Sequence, residues 1–376
     1  MKINIIGGGP AGLYFAILMK KTNPNHNIKV YERNAADSTF GWGVVFSGKT
    51  QENLKEADAV SHKAITETFA EWDNVDVVHR GEKVTIRGNR FSGIARIEML
   101  KILQKRCAEL DVELNFETEI DDVEKLAGDC DLFMGADGIN STVRRLYAEQ
   151  FKPDLSTRPN KYIWFGTHQL FHGLTLTFKQ NEYGVFASHS YKFNNDTSTF
   201  IVECDPQTWD AAGFEKMNEE DTRKSLERVF KEDLHGHHLM SNNSKWINFV
   251  NVKNNHWHYQ NIALLGDALH TAHFSIGSGT KLALEDSIAL HRCFAENKTD
   301  IEKALSEFET TRKPVVESLQ SAAYESLMLF ENLKDFMHLT PLELAYKMMT
   351  RSGRVDVESL RKRDPDFVAK YESAHG

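Results

Sequence analysis

The chain has 376 residues, with Lys+Arg 45 against Asp+Glu 54 and a net charge of −9. That balance argues against a surface built to hold nucleic acid or anionic lipid, although it leaves room for a local basic patch. No apolar run reaches the roughly 18 residues of a membrane span. The four cysteines, Cys107, Cys130, Cys204 and Cys293, are scattered without a C-x-x-C pair. A disulfide framework or thiolate zinc site is therefore not expected. With no signal-like stretch at its start, the chain reads as cytoplasmic. Prolines number only 8, so long Pro-rich linkers are not expected either.

Residues 2–6 are a short apolar run ending at Gly7, and Leu13, Ala16, Ile17 and Lys20 follow at helical spacing. Ile28 to Tyr31 reads as a second strand, so the opening predicts a doubly wound parallel sheet. Residues 41–47 read as a loop whose glycines let backbone approach something flat. Ile97, Leu100, Leu103, Cys107 and Leu110 share one helical face, and strands follow at 112–116 and 132–136. Between 161 and 204 the texture changes to short aromatic and β-branched runs at 161–167, 174–179, 184–191 and 198–204. These predict an inserted antiparallel sheet. An acidic surface helix is expected over 218–234, a buried strand over 261–265, and helices thereafter, with Pro314 starting or kinking one.

The predicted architecture is therefore α/β: a Rossmann-like nucleotide-binding domain with an inserted antiparallel β-sheet substrate domain and C-terminal helices. The boundaries expected are 1–155 and 253–330 for the discontinuous nucleotide domain, with 44–92 partly serving the substrate side. The β-rich domain takes 156–252 and a helical extension takes 331–376.

Three motifs carry chemistry. Gly7-x-Gly9-x-x-Gly12, with Pro10 and Ala11 between, lets backbone pass close to a pyrophosphate at a helix N-terminus. Glu32 lies twenty residues after Gly12, where a carboxylate can accept hydrogen bonds from ribose hydroxyls; Arg33 follows it. This first motif does not separate FAD from NAD. The second runs from Asp131 through Asp137-Gly138 to Arg144, a strand, a turn and a helix start. The third is Leu264-Leu265-Gly266-Asp267-Ala268, followed by Gly277-Ser278-Gly279-Thr280 opening a helix. Singly, the Asp-Gly and Gly-Asp pairs are ordinary turns.

Together, in this order and spacing, the motifs resemble the FAD fingerprints of the class A flavin aromatic hydroxylases. The likeness is nearest to the aryl-CoA hydroxylases that act on salicylyl-CoA or 2-aminobenzoyl-CoA, and more distant to the tryptophan hydroxylase of violacein biosynthesis. It spans most of the chain, notably Gly41 to Ser47, Phe91 to Arg96, Lys161 to Thr167, Ser198 to Glu203 and His270 to Lys281. The resemblance implies FAD as cofactor, NADH or NADPH as electron donor and O2 as co-substrate. A flavin hydroperoxide would then hydroxylate an activated ring para to its hydroxyl or amino group. It further implies that Asp267 accepts from a ribityl hydroxyl and that Arg96 lies near the FAD phosphates. The Asp137–Arg144 turn would serve the pyrophosphate and the passing nicotinamide. The helix from Gly279 would direct its positive end at the flavin, and Val45 would belong to the enclosing loop. A tryptophan or indole hydroxylase is the alternative within this class, and a non-oxygenating FAD oxidoreductase the alternative outside it.

One departure is plain: many members carry Pro-Pro where this chain has His273-Phe274, and Asn where it has Lys281. His273 is the catalytic candidate, with packing against the cofactor as the competing reading. Trp164, His189, Tyr191 and Phe274 are candidates to line an aromatic substrate pocket, although alternating aromatics with Phe165 and Phe186 equally suit plain core. The tracts His235-Gly-His237-His238 and His256-Trp-His258 lack ligand-spaced partners, so no metal is expected. The substrate expected is a small aromatic compound, CoA-linked, and the assembly a monomer or homodimer. A CoA tail needs a basic groove, for which Arg351, Arg354, Arg361, Lys362 and Arg363 are the densest run, though a surface role suits them equally.

Overall fold

A computed structural model describes residues 1–375. The first sheet runs, in spatial order, through His258–Tyr259, Ile262–Leu264, Leu132–Gly135, Lys2–Ile6, Asn27–Tyr31 and Glu113–Asn115. All its pairings are parallel except the edge hairpin of His258–Tyr259 with Ile262–Leu264. Central strands such as Leu132–Gly135 are buried throughout, the pattern of a sheet covered on both faces. Helices Pro10–Thr22, Arg96–Glu109 and Gly279–Asn297 join its core through Leu13, Leu103 and Leu284.

The second sheet has eight strands. Its antiparallel centre is Pro153–Thr167, Ser198–Cys204, Gly184–Lys192 and Leu174–Asn181. Ile247–Asn254 also pairs with Pro153–Thr167, so these two strands carry the sheet into residues 153–155 and 253–254. A hairpin from far upstream, Val75–His79 with Glu82–Ile86, joins the same sheet by a parallel pairing with Leu174–Asn181.

Alternation sorts this sheet's side chains by face. Phe165, Phe186, Phe200 and Val202 turn to a cluster completed by Leu226 and Phe230. Leu176, Phe178, Val185 and Ala187 turn to the opposite cluster, which the C-terminal helices cover with Leu344, Met348, Leu360 and Val368. Helices Pro341–Thr350, Val357–Arg363 and Pro365–His375 are thus packed against the sheet.

Three local expectations change. Residues 43–47 form a strand, paired with Phe91–Ala95 in a three-stranded sheet that Ala70–Trp72 completes. The glycines there had masked an ordinary strand-forming run of β-branched and aromatic residues, Val44-Val45-Phe46. Of the two readings of Pro314, the helix start is excluded: it sits inside Ile301–Glu331. It is exposed, so water can satisfy the carbonyl that its missing N–H leaves behind. The acidic segment divides into Glu219–Val229, capped by Asn218, and Lys231–Leu234.

Candidate functional site

The three motifs lie in contact. Gly7 ends the first strand at φ +108, where an added Cβ would stand 2.1 Å from the Ala136 carbonyl oxygen. A Cβ on Gly12 would stand 2.2 Å from the Gly7 carbonyl oxygen, so this helix crosses its strand at backbone distance. Gly9, the helix N-cap, has nothing within 4 Å of such a Cβ. With Pro10 at the first turn, no side chain caps this helix end, which leaves its terminal N–H groups available to an anion. Ala11 is buried behind it.

Glu32 is held on both oxygens. Oε2 accepts from the Gly8 N–H at 2.8 Å, and Oε1 from the Asn34 N–H and Nδ2 at 2.9 and 2.7 Å. The carboxylate is fixed at the strand end, with Arg33 exposed beside it. In the second motif Asp137 Oδ2 accepts from the Thr142 and Val143 N–H groups at 2.7 and 3.3 Å. Oδ1 is buried and has no partner among the described residues. Gly138 makes the turn at φ +78. Arg144 is buried and donates to the Ala268 and Ile139 carbonyls at 2.9 and 2.5 Å. Its position is that of a strut between the second and third motifs.

Gly266 rests on Ala11, whose Cβ would be 3.1 Å from one added to the glycine. Asp267 lines a cleft: its side chain is solvent-exposed yet closely surrounded by protein. Desolvation pushes its carboxyl above the usual range, against the pull of Arg96 and His270. Arg96, in turn, is pushed down by burial and held up by Asp267, so the two act on each other across the cleft. Arg96 also donates from Nε to Thr39 Oγ1 at 3.1 Å. Gly277 (φ +62) brings its backbone beside the Val45 Cβ. The helix from Gly279 starts without a side-chain cap; Ser278 is its N-cap and Thr280 its second residue, half-buried. A Cβ on Gly279 would meet nothing within 4 Å.

A fixed carboxylate, two uncapped helix N-termini, a cation and an exposed acceptor-only carboxylate fit a dinucleotide of FAD type. Open space at Gly9, Gly138 and Gly279 leaves room for it.

The substrate-side candidates divide into two pairs. Phe274 lies between histidines, its ring 5.2 Å from His189 and 4.1 Å from His273, with Tyr162 at 4.7 Å. His189 Nε2 lies 3.5 Å from Glu203 Oε2, and both residues are buried. Asn160 donates to the other Glu203 oxygen at 2.9 Å. Burial pushes the Glu203 carboxyl up, but His189, His273 and Asn160 hold it below its ordinary value. Trp164 and Tyr191 instead seat the 41–43 segment. A Cβ on Gly41 would fall 2.4 Å from the Trp164 ring, and Tyr191 donates to the Gly43 carbonyl at 2.8 Å while stacking on Trp72. The flat partner expected of those glycines is thus, at Gly41, the indole of Trp164.

Glu203 and Asn160 were not singled out from sequence. A signal existed for Glu203: it is a charged residue in the strand Ser-Thr-Phe-Ile-Val-Glu-Cys, every position of which is buried. The basic run near the C-terminus does not form one groove. Arg354 bonds Ser318, Arg361 pairs with Glu372, Arg363 bonds Asn89, and Arg351 turns inward. His256 and His258 both approach Glu309, at 3.8 and 3.7 Å. No helix among the described residues is long and apolar enough to cross a membrane.

A family profile described as FAD binding domain matches residues 1–323. The chain is 38% identical to the salicyloyl-CoA 5-hydroxylase of a Streptomyces species, over 99% of this chain and 73% of that protein. It is 32% identical to the protodeoxyviolaceinate monooxygenase of Chromobacterium violaceum, over 93% of this chain and 94% of the other. Among solved structures, P. aeruginosa PqsL in complex with 2-aminobenzoylacetate shares the fold at TM-score 0.71 and 22% identity. That match covers 90% of this chain and 98% of PqsL. Two relatives matched over nearly all of this chain and a profile spanning both the glycine-rich start and the Asp267 turn leave one assignment: the chain belongs to the FAD binding domain family and is an FAD-dependent aromatic monooxygenase, drawing electrons from NAD(P)H and oxygen from O2.

Proposed function

We propose that this enzyme hydroxylates the ring of an aryl-CoA thioester, salicyloyl-CoA or 2-aminobenzoyl-CoA, para to the hydroxyl or amino group. The observation that carries the reading is the 38% identity to a salicyloyl-CoA 5-hydroxylase over 99% of the chain. The violacein-pathway relative supports an indole-type substrate as the second reading.

Bound FAD, once reduced by NAD(P)H, supplies the chemistry that activates O2 and transfers one oxygen atom to the ring. The chain's own residues bind, orient and enclose. Glu32 is pre-set by Gly8 and Asn34 to accept from the adenosine ribose. The uncapped N-terminus at Gly9 and the Arg96 cation take the phosphates. Asp267 accepts from a ribityl hydroxyl, and the helix from Gly279 directs its positive end at the flavin ring. Phe274, packed against Tyr162, His189 and His273, forms an apolar wall that excludes water and holds the substrate ring.

Two measurements test this. A panel of salicyloyl-CoA, 2-aminobenzoyl-CoA, their free acids and tryptophan is read by NAD(P)H oxidation and by product mass. An aryl-CoA should stimulate oxidation and gain one oxygen; oxidation that ends wholly in peroxide with every aryl-CoA overturns the reading. Asp267→Ala should weaken FAD binding roughly 10- to 100-fold, since it removes a hydrogen bond to a charged acceptor, about 1.5–3 kcal/mol. Unchanged FAD affinity would remove Asp267 from the site.

A further inference from the structure

The C-terminal extension reaches His273 through a chain of hydrogen bonds. Arg351 follows directly on the helix Pro341–Thr350. Its Nη1 donates to the Met348 carbonyl, its Nη2 to the Ser275 carbonyl at 2.6 Å, and its Nε to Ser326 Oγ at 2.8 Å. Ser326 lies fully buried in the helix Ile301–Glu331, and its Oγ is 2.8 Å from Ser275 Oγ. Ser275 Oγ is in turn 2.9 Å from His273 Nδ1.

The direction of these bonds follows from the donors available. An arginine has no acceptor, so Arg351 must donate to Ser326. The Ser275 backbone N–H also points at His273 Nδ1, at 3.4 Å, which leaves no room for a proton on that nitrogen. Nδ1 is therefore the acceptor, Ser275 donates its hydroxyl to it, and Ser326 donates to Ser275. The imidazole proton must sit on Nε2, which has no hydrogen-bond partner among the described residues. Burial lowers His273 to about 4 and keeps the ring neutral; Glu203 pulls the other way, while His189, Arg351 and Arg158 add to the lowering.

We propose that Arg351 is a positioning residue that, through Ser326 and Ser275, fixes His273 as the Nε2–H tautomer, a neutral hydrogen-bond donor beside Phe274 at the flavin turn. This rests on the reading that residues 266–280 face the flavin. A neutral donor at that place can hold an oxygen of flavin or substrate without adding a positive charge to those of Arg351 and Arg158, which already act on the ring. The C-terminal helices thereby set the hydrogen-bonding state of a loop that lies some 75 residues earlier in the chain.

The holoenzyme, labelled with 15N at histidine and with His273 identified by its loss in His273→Gln, gives the direct test. The unaltered enzyme should show a protonated-type Nε2 and an unprotonated-type Nδ1. Arg351→Met and Ser275→Ala should each bring in Nδ1-protonated ring or exchange between the forms, and Arg351→Lys, which keeps a donor, should restore the first pattern. The share of oxidised NAD(P)H that ends as peroxide should at least double in Arg351→Met. A protonated Nδ1 in the unaltered enzyme, a tautomer unmoved in both variants, or a moved tautomer with an unchanged peroxide share overturns the proposal. Ser275→Ala keeps the test open if Arg351→Met does not fold. The Asp267→Ala titration with FAD is a separate readout, so failure of the flavin-site reading is told apart from failure of the relay.

Discussion

The two halves of the site are built from different materials. The dinucleotide side is made of backbone: glycines at 7, 9 and 12, two uncapped helix ends and a carboxylate pinned by main-chain N–H groups. The ring side is made of buried side chains, His189 against Glu203 and His273 against Ser275, with aromatic rings between them. A backbone-built site tolerates almost no added atom where strand and helix cross, at Gly7 and Gly12, and its main-chain donors do not titrate. A side-chain-built site accepts some change of shape and depends strongly on charge. The distinction predicts how each half should fail.

The largest effect belongs to the backbone side. Gly7→Ala combines a positive φ with a Cβ placed 2.1 Å from a carbonyl oxygen. Strain and overlap together are worth about 4 kcal/mol, and relieving them displaces the start of the helix. The variant should be recovered without flavin absorbance or not recovered folded; a yellow protein of ordinary stability would show the glycine is dispensable. On the ring side, Glu203→Ala takes the buried acceptor from Asn160 Nδ2 and the carboxylate that stands 3.5 Å from His189 Nε2. Leaving buried polar groups unpaired in this way costs about 2 kcal/mol. Urea unfolding should show that loss while FAD stays bound. Loss of FAD in Glu203→Ala would mean the two halves are not separable.

This division also explains what could be seen in the amino-acid sequence. Gly7, Gly9, Gly12, Glu32 and Asp267 carry their meaning locally, because a strand, a tight turn and a helix start within a few residues of one another. The parallel sheet and the inserted antiparallel strands were legible for the same reason, each from its own hydrophobic period. The ring side was not. Alternation shows that Trp164 and Phe165 point to opposite faces but not which face matters, and that depends on what packs there. Tyr162 meets Glu203 only through strand register, and Arg351 meets Ser275 only because the C-terminal helices cover the second sheet. A part for 44–92 on the substrate side was expected, but the hairpin Val75–Ile86 itself was not legible, because its neighbour, Leu174–Asn181, lies about a hundred residues on.

Protonation gives the next contrast. His273 is lowered from 6.5 to about 4 in the folded protein, so the unfolded chain takes up its proton first as pH falls. The stability tied to its neutral form is intact above about pH 6.5 and is lost progressively down to about pH 4. Linkage puts the loss between pH 7 and 5 at about 2 kcal/mol from this one group. Denaturant unfolding of the holoenzyme at the two pH values, with FAD in fixed excess, should show a smaller difference for His273→Gln. An equal difference in both proteins would mean that His273 titrates normally and that its surroundings are wetter than the packing implies.

The smallest effect sits where the halves join. Tyr191 stands on the ring-side sheet but donates its hydroxyl to the Gly43 carbonyl, in the segment that also places Val45 beside Gly277. Burial raises the Tyr191 hydroxyl well above its ordinary value, so the donor keeps its proton throughout the working range. Tyr191→Phe deletes one buried neutral hydrogen bond and leaves the stack on Trp72 in place. The expected loss is about 1 kcal/mol of stability. If the Gly43 contact serves only to hold the sheet, FAD affinity and the peroxide share should not move. If it holds the enclosing segment over the flavin, the peroxide share should rise by more than so small a loss of stability explains. A stability change confined to unfolding curves would keep backbone and side-chain halves distinct; a rise in peroxide would show that this one hydroxyl couples them.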